Sequence, residues 1–448
     1  MNARLALLLG TLIVGCVNAA CPPGFVASVT IPGKCYYIAT IGAGFFDGIN
    51  YCRNNLTYGT DILSIANGFE NSEVASLLQS RGIDSAWIGS AFYDNEPHWL
   101  ATAASSSNYS NWKSGSYNGK VALITPSGSW GYTDSGNNYS IICQIYPDSP
   151  TTFPPPQITC PAGWTPSISA HGKCYKYAYP TTDFFSATRN CSTTRIGDSH
   201  AELVTLTSGL EIMELYEMTQ SGGAPWASLT SWEADGHWHW VETLHPTDYF
   251  GPHGRPANYG GTCAYLTNDN LYGGPCWNSR AAICQYFPNE PPAPTLSGMI
   301  CPQNGIASLT KPDTCYYVLN QNQTFQSARS ACQALDNGFT HNDLFGPRTL
   351  GEYEEFGAIV VNQTTSWPPP FPSAWLGLTS SNGNWGWISN QQSNISNIWC
   401  LGQPDTSQNP TDQCGSVISS SLSGNQICWT AVDCTDSYAT ICQSSNTF

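Results

Sequence analysis

Apolar positions recur with a helical period just ahead of one cysteine in each third of the chain. Phe325, Ala328 and Cys332 fall at i, i+3 and i+7, which is one face of a helix, and Thr324 is placed as its N-cap. Phe45 and Gly48 stand the same distances before Cys52, as do Phe184 and Ala187 before Cys191, where Asp183 is the predicted cap. A short apolar strand led by a cysteine precedes each helix: CYYIA, CYKYA and CYYVL. A second helix is predicted to begin near Glu70, Glu211 and Glu352, and tryptophan-rich strands separated by Gly, Ser and Asn loops follow it. Two helices followed by a loop-rich antiparallel sheet predict an α+β fold, three times over.

The cysteines give the repeat its arithmetic. Cys21, Cys35 and Cys52, then Cys160, Cys174 and Cys191, then Cys301, Cys315 and Cys332, keep gaps of 14 and 17 each time. Each repeat closes alike, in IICQIYP at Cys143, AAICQYFP at Cys284 and ATICQSS at Cys442. Proline-rich segments between them read as extended spacers. The expected organisation is a leader over 1–19, domains over 20–146, 160–287 and 301–444, and linkers over 147–159 and 288–300. From first to last cysteine the repeats span 123, 125 and 142 residues, enough for a core each.

The amino terminus sets the compartment. Arg4, the apolar run Leu5 to Val17 and the small-residue end at Ala19 read as a secretory signal peptide, so the expected location is extracellular. No later run is long and apolar enough to span a membrane, and the polar end CQSSNTF offers no lipid-anchor signal. Of nineteen cysteines, Cys16 lies in the leader, and the even eighteen that remain read as a disulfide set. Seven Asn-X-Ser/Thr sequons, at Asn55, Asn108, Asn138, Asn190, Asn322, Asn362 and Asn394, suit a glycoprotein. The net charge of −16 repels phosphate backbones and anionic membranes, which excludes nucleic acid as a partner class.

These residues resemble the C-type lectin-like domain, over nearly all of the chain that follows the leader. AWIGS at Ala86 and AWLGL at Ala374 look like that family's core strand, and PWASL at Pro225 is a degraded form. The resemblance implies bridges Cys21 to Cys35, Cys160 to Cys174 and Cys301 to Cys315 at the openings, and Cys52 to Cys143, Cys191 to Cys284 and Cys332 to Cys442 from first helix to last strand. It also implies inner bridges Cys263 to Cys276 and Cys414 to Cys434. Cys400 and Cys428 remain, both in repeat three, and are expected to staple the extra length there, much of it the flexible-looking SVISSSLSGNQ. Most of the sixteen tryptophans are expected in cores, because Trp87, Trp112, Trp375, Trp387 and Trp399 match the family's structural positions.

Enzyme readings find no motif: His-Glu-x-x-His, Gly-x-Ser-x-Gly and Cys-x-x-Cys are all absent. GAGFFDG at Gly42 is one residue too long for a dinucleotide loop, and His237 and His239, with His245 and His253, read as surface histidines rather than a zinc set. What the resemblance implies is binding of an extracellular glycan or glycoprotein, through calcium where enough oxygens gather. In repeat one, Ser116-Tyr117-Asn118 and Trp130-Gly131-Tyr132 stand where ligands belong; in repeat two, Arg255-Pro256-Ala257 and Leu271-Tyr272-Gly273 do, and neither set suffices. Repeat three keeps Gln403 and Asp405 around Pro404, the triplet that accompanies galactose-type binding in the family, and Asp412 two places before Cys414. Thr430 and Ala431 replace the family's Asn and Asp, so calcium is expected to bind repeat three weakly, through Asp405 and Asp412, if at all. The other readings are a calcium-independent protein- or glycan-binding module and a structural matrix or coat component.

Overall fold

The computed structural model describes residues 20–94, 96–100, 109–113, 120–148, 158–170, 172–197, 199–219, 223–232, 237–241, 247–251, 255–258, 261–267, 270–289, 301–311, 313–363, 373–381, 383–388, 398–405, 412–420 and 426–446. The leader, linker residues 149–157 and 290–300, and Ser116-Tyr117-Asn118 lie outside these. The chain divides into two compact units, residues 1–92 with 96–157 and residues 93–95 with 158–448. Both are α+β. Over the described residues, repeat one builds an eight-stranded sheet, and repeats two and three build sheets of nine and eight strands within the second unit.

The local logic is the same in each repeat. In repeat one, the strand Cys35–Ala43 leads into helix α1, Phe45–Asn54, and helix α2, Gly68–Ser80, follows. Asn67 caps α2 by accepting from the N–H groups of Phe69 and Glu70. The chain then returns so that its last strand, Tyr139–Ile145, lies antiparallel to the first, with Tyr37 opposite Cys143. The core strand Ala86–Tyr93 runs parallel to that last strand. In the second unit, α3 (Phe184–Thr193) and α4 (Gly209–Met218) belong to repeat two, and α5 (Phe325–Gln333) and α6 (Leu350–Gln363) to repeat three. First and last strands again pair, Lys176 opposite Cys284 and Tyr317 opposite Cys442.

One tryptophan per repeat fixes the core strand to this pair. The indole Nε1 of Trp87 donates to the Ala43 carbonyl at 2.9 Å, Trp226 to Thr182 at 2.9 Å and Trp375 to Gln323 at 2.6 Å, and all three rings are fully buried. Two residues on, the strand passes so close to its neighbour that a side chain barely fits: a Cβ on Gly89 would stand 2.6 Å from Ile62 and 3.0 Å from the Leu63 carbonyl. Repeat two has Ser228 there and uses its hydroxyl to reach the Val241 carbonyl at 2.6 Å.

Nine disulfides join Cys21–Cys35, Cys52–Cys143, Cys160–Cys174, Cys191–Cys284, Cys263–Cys276, Cys301–Cys315, Cys332–Cys442, Cys400–Cys428 and Cys414–Cys434. The three helix-to-last-strand bridges close 91, 93 and 110 residues. In the chain-entropy model each contributes about 4 to 5 kcal/mol.

Three sequence expectations change in detail. Asp183 caps α3 by accepting from the Ser186 N–H, but Thr324 at the equivalent place makes no such bond, because its hydroxyl donates instead to Ser327 Oγ. Trp87 and Trp375 are core, whereas Trp112, Trp387 and Trp399 are half-buried, packed edge-on around the buried rings of Trp130 and Trp429. The insertion in repeat three forms a hairpin over its described residues: Asp412–Ser420 pairs with Gln426–Asp433, with Val417 opposite Trp429. Buried Val417, Ile427 and Trp429 supply the apolar face that draws it onto the core.

A buried ion pair ties strand to helix in repeats one and two. Lys34 meets Glu70 at 2.6 Å and the Ser64 carbonyl at 2.7 Å; Lys173 meets Glu211 at 2.8 Å and the Thr205 carbonyl at 2.9 Å. Burial lowers the Lys34 pKa, opposed by Glu70. Repeat three has Thr314 in place of the lysine, and Glu352 turns to Arg348 at 3.3 Å. Removing one partner leaves a buried charge uncompensated, so Lys34→Met is expected to destabilise the first unit by about 3 to 5 kcal/mol, while Lys34→Met with Glu70→Met recovers most of the loss. Calorimetric unfolding of the purified chain, following the transition assigned to the first unit, checks both.

Candidate functional site

The loop of repeat three is anchored at Trp399. The Cys400 N–H donates to the Trp429 carbonyl at 2.9 Å, the Trp429 N–H donates to the Ile398 carbonyl at 2.8 Å, and the Cys400–Cys428 bridge holds the two stretches together. The chain turns through Gly402, whose φ of 81° suits a residue without a Cβ, and the Gln403 N–H closes the turn on the Cys400 carbonyl at 2.9 Å. The Gln403-Pro404 peptide is cis. Leu401 stands at the crest, 97% exposed, and Asp405 is exposed beyond the proline.

Gln403 is the centre of this geometry. Its Oε1 accepts from the Ala431 N–H at 3.0 Å and from the Asp405 N–H at 3.1 Å. An amide oxygen has two lone pairs, and both are taken. The Gln403 side chain thus braces the loop onto the strand Gln426–Asp433. Gln413 completes the brace, donating from Nε2 to the Asp405 carbonyl at 3.0 Å. Asp412 opens the strand Asp412–Ser420 with its backbone opposite Ser381; its side chain lies outside those described. Asp433 turns to its own corner, accepting from the N–H and hydroxyl of Thr435 at 2.8 Å each.

Calcium takes six to eight oxygens. Among the described donors, Gln403 Oε1 already accepts two N–H groups, Ala431 offers a methyl group, and Asp433 Oδ1 accepts at the Thr435 corner, which leaves these positions short of that number. Among the described residues no three His, Cys, Asp or Glu side chains converge as a metal site; His237 and His239 form no such group, and His245 and His253 lie outside the described residues. The equivalent places in the other repeats are closed differently. Leu271 is fully buried in repeat two and Arg255 is exposed, while in repeat one Trp112 stacks on Tyr132 at 4.1 Å. The sequence singled out Gln403, Asp405 and Asp412 but gave no sign of Gln413 or of the Ala431 N–H, whose roles depend on contacts across strands.

No protein-family model and no curated protein matches this chain. Among solved structures it is similar to human lithostathine, with 22% identity over 33% of this chain and 99% of that one, at a TM-score of 0.25. It is also similar to the C-type lectin CEL-I from Cucumaria echinata, with 21% identity over 33% and 99% at 0.27. The carbohydrate-recognition domain of the human scavenger receptor C-type lectin gives 24% over 28% and 99% at 0.24.

If Gln403 is a brace, shortening it exposes its effect locally. Gln403→Ala removes the part-buried hydrogen bond from the Ala431 N–H, worth about 1 kcal/mol, together with the exposed one from Asp405, so exchange protection of the Ala431 amide should fall by roughly an order of magnitude. Gln403→Glu, which keeps the acceptor, should retain it, as hydrogen-exchange mass spectrometry of the intact chain can report.

Proposed function

We propose that this chain is a secreted, non-enzymatic glycan-binding protein of three tandem C-type lectin-like domains, whose third repeat presents a recognition loop set by Gln403 rather than by calcium. Three sheets of like strand order, each joining its first and last strands, support the tandem reading. The double acceptance at Gln403 Oε1 carries the calcium-independent one. The crest then offers a sugar two surfaces of different chemistry. Leu401 presents an apolar side chain to the C–H face of a ring, and the exposed Asp405 carboxylate accepts from hydroxyl groups. The Gln-Pro-Asp triplet points to galactose-type sugars as the first ligands to try.

A glycan array probed with the intact secreted protein tests this. Binding should persist in EDTA and fall at least tenfold in Asp405→Ala; binding that vanishes in EDTA would overturn the calcium-independent reading. Thr430→Asn with Ala431→Asp restores two oxygen donors beside the loop, and calorimetry should then detect calcium binding that the unaltered protein lacks.

A further inference from the structure

Within the second unit, α3 of repeat two and α6 of repeat three pack against each other. Arg189 on α3 pairs with Glu355 on α6 and donates to the Ala307 carbonyl at 2.8 Å. Asn362 near the end of α6 donates to Asp183 at the start of α3. Close contact is allowed by two glycines of α6: a Cβ on Gly351 would stand 3.2 Å from the Trp232 ring, and one on Gly357 would stand 3.2 Å from the Trp277 ring.

Glu354 lies in the middle of this face and is 5% exposed. The Thr262 hydroxyl and the Cys276 N–H, both from repeat two, bond its carboxyl, yet its Oε2 has no partner among the described residues. Counted from the matching Glu211 and Glu352, the same helix position in repeat two is Met213, which is fully buried. Repeat three therefore places an ionisable group where its counterpart keeps an apolar one.

We propose that Glu354 makes the docking of repeats two and three sensitive to pH: they stay docked while its carboxyl is protonated and separate as it ionises. The surrounding charges leave it uncompensated. Glu352 pairs with Arg348, Glu355 with Arg189, and Asp183 with the α3 N-terminus and Asn362; Tyr353 donates to the Ile427 carbonyl. An ionised Glu354 would thus be a buried charge without a cation. Burial, opposed by the bonds from Thr262 and Cys276, pushes its pKa up from 4.5 to about 8. The docked form holds a proton that the separated form releases at the ordinary carboxylate pKa. Docking is therefore at full strength below that ordinary value, weakens about tenfold per pH unit as pH rises towards the docked value, and changes no further above it.

Hydrogen exchange of the intact chain, corrected for intrinsic rates and taken between about pH 5 and pH 8, reads this directly. Protection of α3 and α6 should fall with rising pH while that of α2 in the first unit does not. Glu354→Gln keeps the shape and removes the ionisation, so its profile should be flat; Glu354→Met, the residue of repeat two, serves if the Gln variant is not secreted. A flat profile in the unaltered protein, or an equal slope in a secreted variant, would overturn the proposal.

Discussion

Everything in each repeat depends on the first long strand meeting the last. That pairing brings together residues about a hundred positions apart, and loop closure over such a distance is costly in chain entropy. The helix-to-strand disulfide removes much of that cost from the unfolded side, and the indole of the core strand adds a third tie. Once the ends are closed, everything between the core strand and the final hairpin is a loop on a finished frame. Sequence can change there without reopening the fold.

The consequence is visible at the equivalent loop positions of the three repeats. Repeat two fills one with buried Leu271, and repeat one stacks Trp112 on Tyr132. Repeat three instead solves the loop with hydrogen bonds, giving both lone pairs of Gln403 Oε1 to backbone donors. A loop braced in this way has part of its form fixed by its own polar contacts.

The frame was legible in the sequence because its signals are periodic or paired. Phe325, Ala328 and Cys332 share a helix face, and the structure buries all three. The starts expected near Glu70, Glu211 and Glu352 fall two residues earlier, at Gly68, Gly209 and Leu350. The site was legible only as a set of names. That Gln403 bonds the Ala431 N–H, 28 positions away, depends on a strand register that no local pattern encodes. The serine-rich insertion looked flexible because its small polar residues outnumber the Val417 and Ile427 that fold it into a hairpin. Trp112, Trp387 and Trp399 looked like core because they match structural positions of the family that the sequence resembles, whereas each is half-buried against a buried ring.

The acidic residue three positions after the helix-start glutamate shows how a repeated part acquires a second use. Glu73, Glu214 and Glu355 each hold the turn that precedes the first long strand, accepting from the N–H groups of Val29, Ile168 and Leu309 and from Ser28, Ser167 and Ser308. Around Glu73, burial pushes the pKa up, but the bonds from Thr30, Val29 and Ser28 outweigh it and hold the carboxyl below its ordinary value. Around Glu214 the same kind of bonds are present and burial wins, so the pKa is raised. Glu355 takes a third course: it keeps the turn and also receives Arg189 from the neighbouring repeat. A carboxylate has more acceptor sites than one turn consumes. The docking of repeats two and three could therefore be added on an existing clamp, leaving the turn that the clamp first served unchanged.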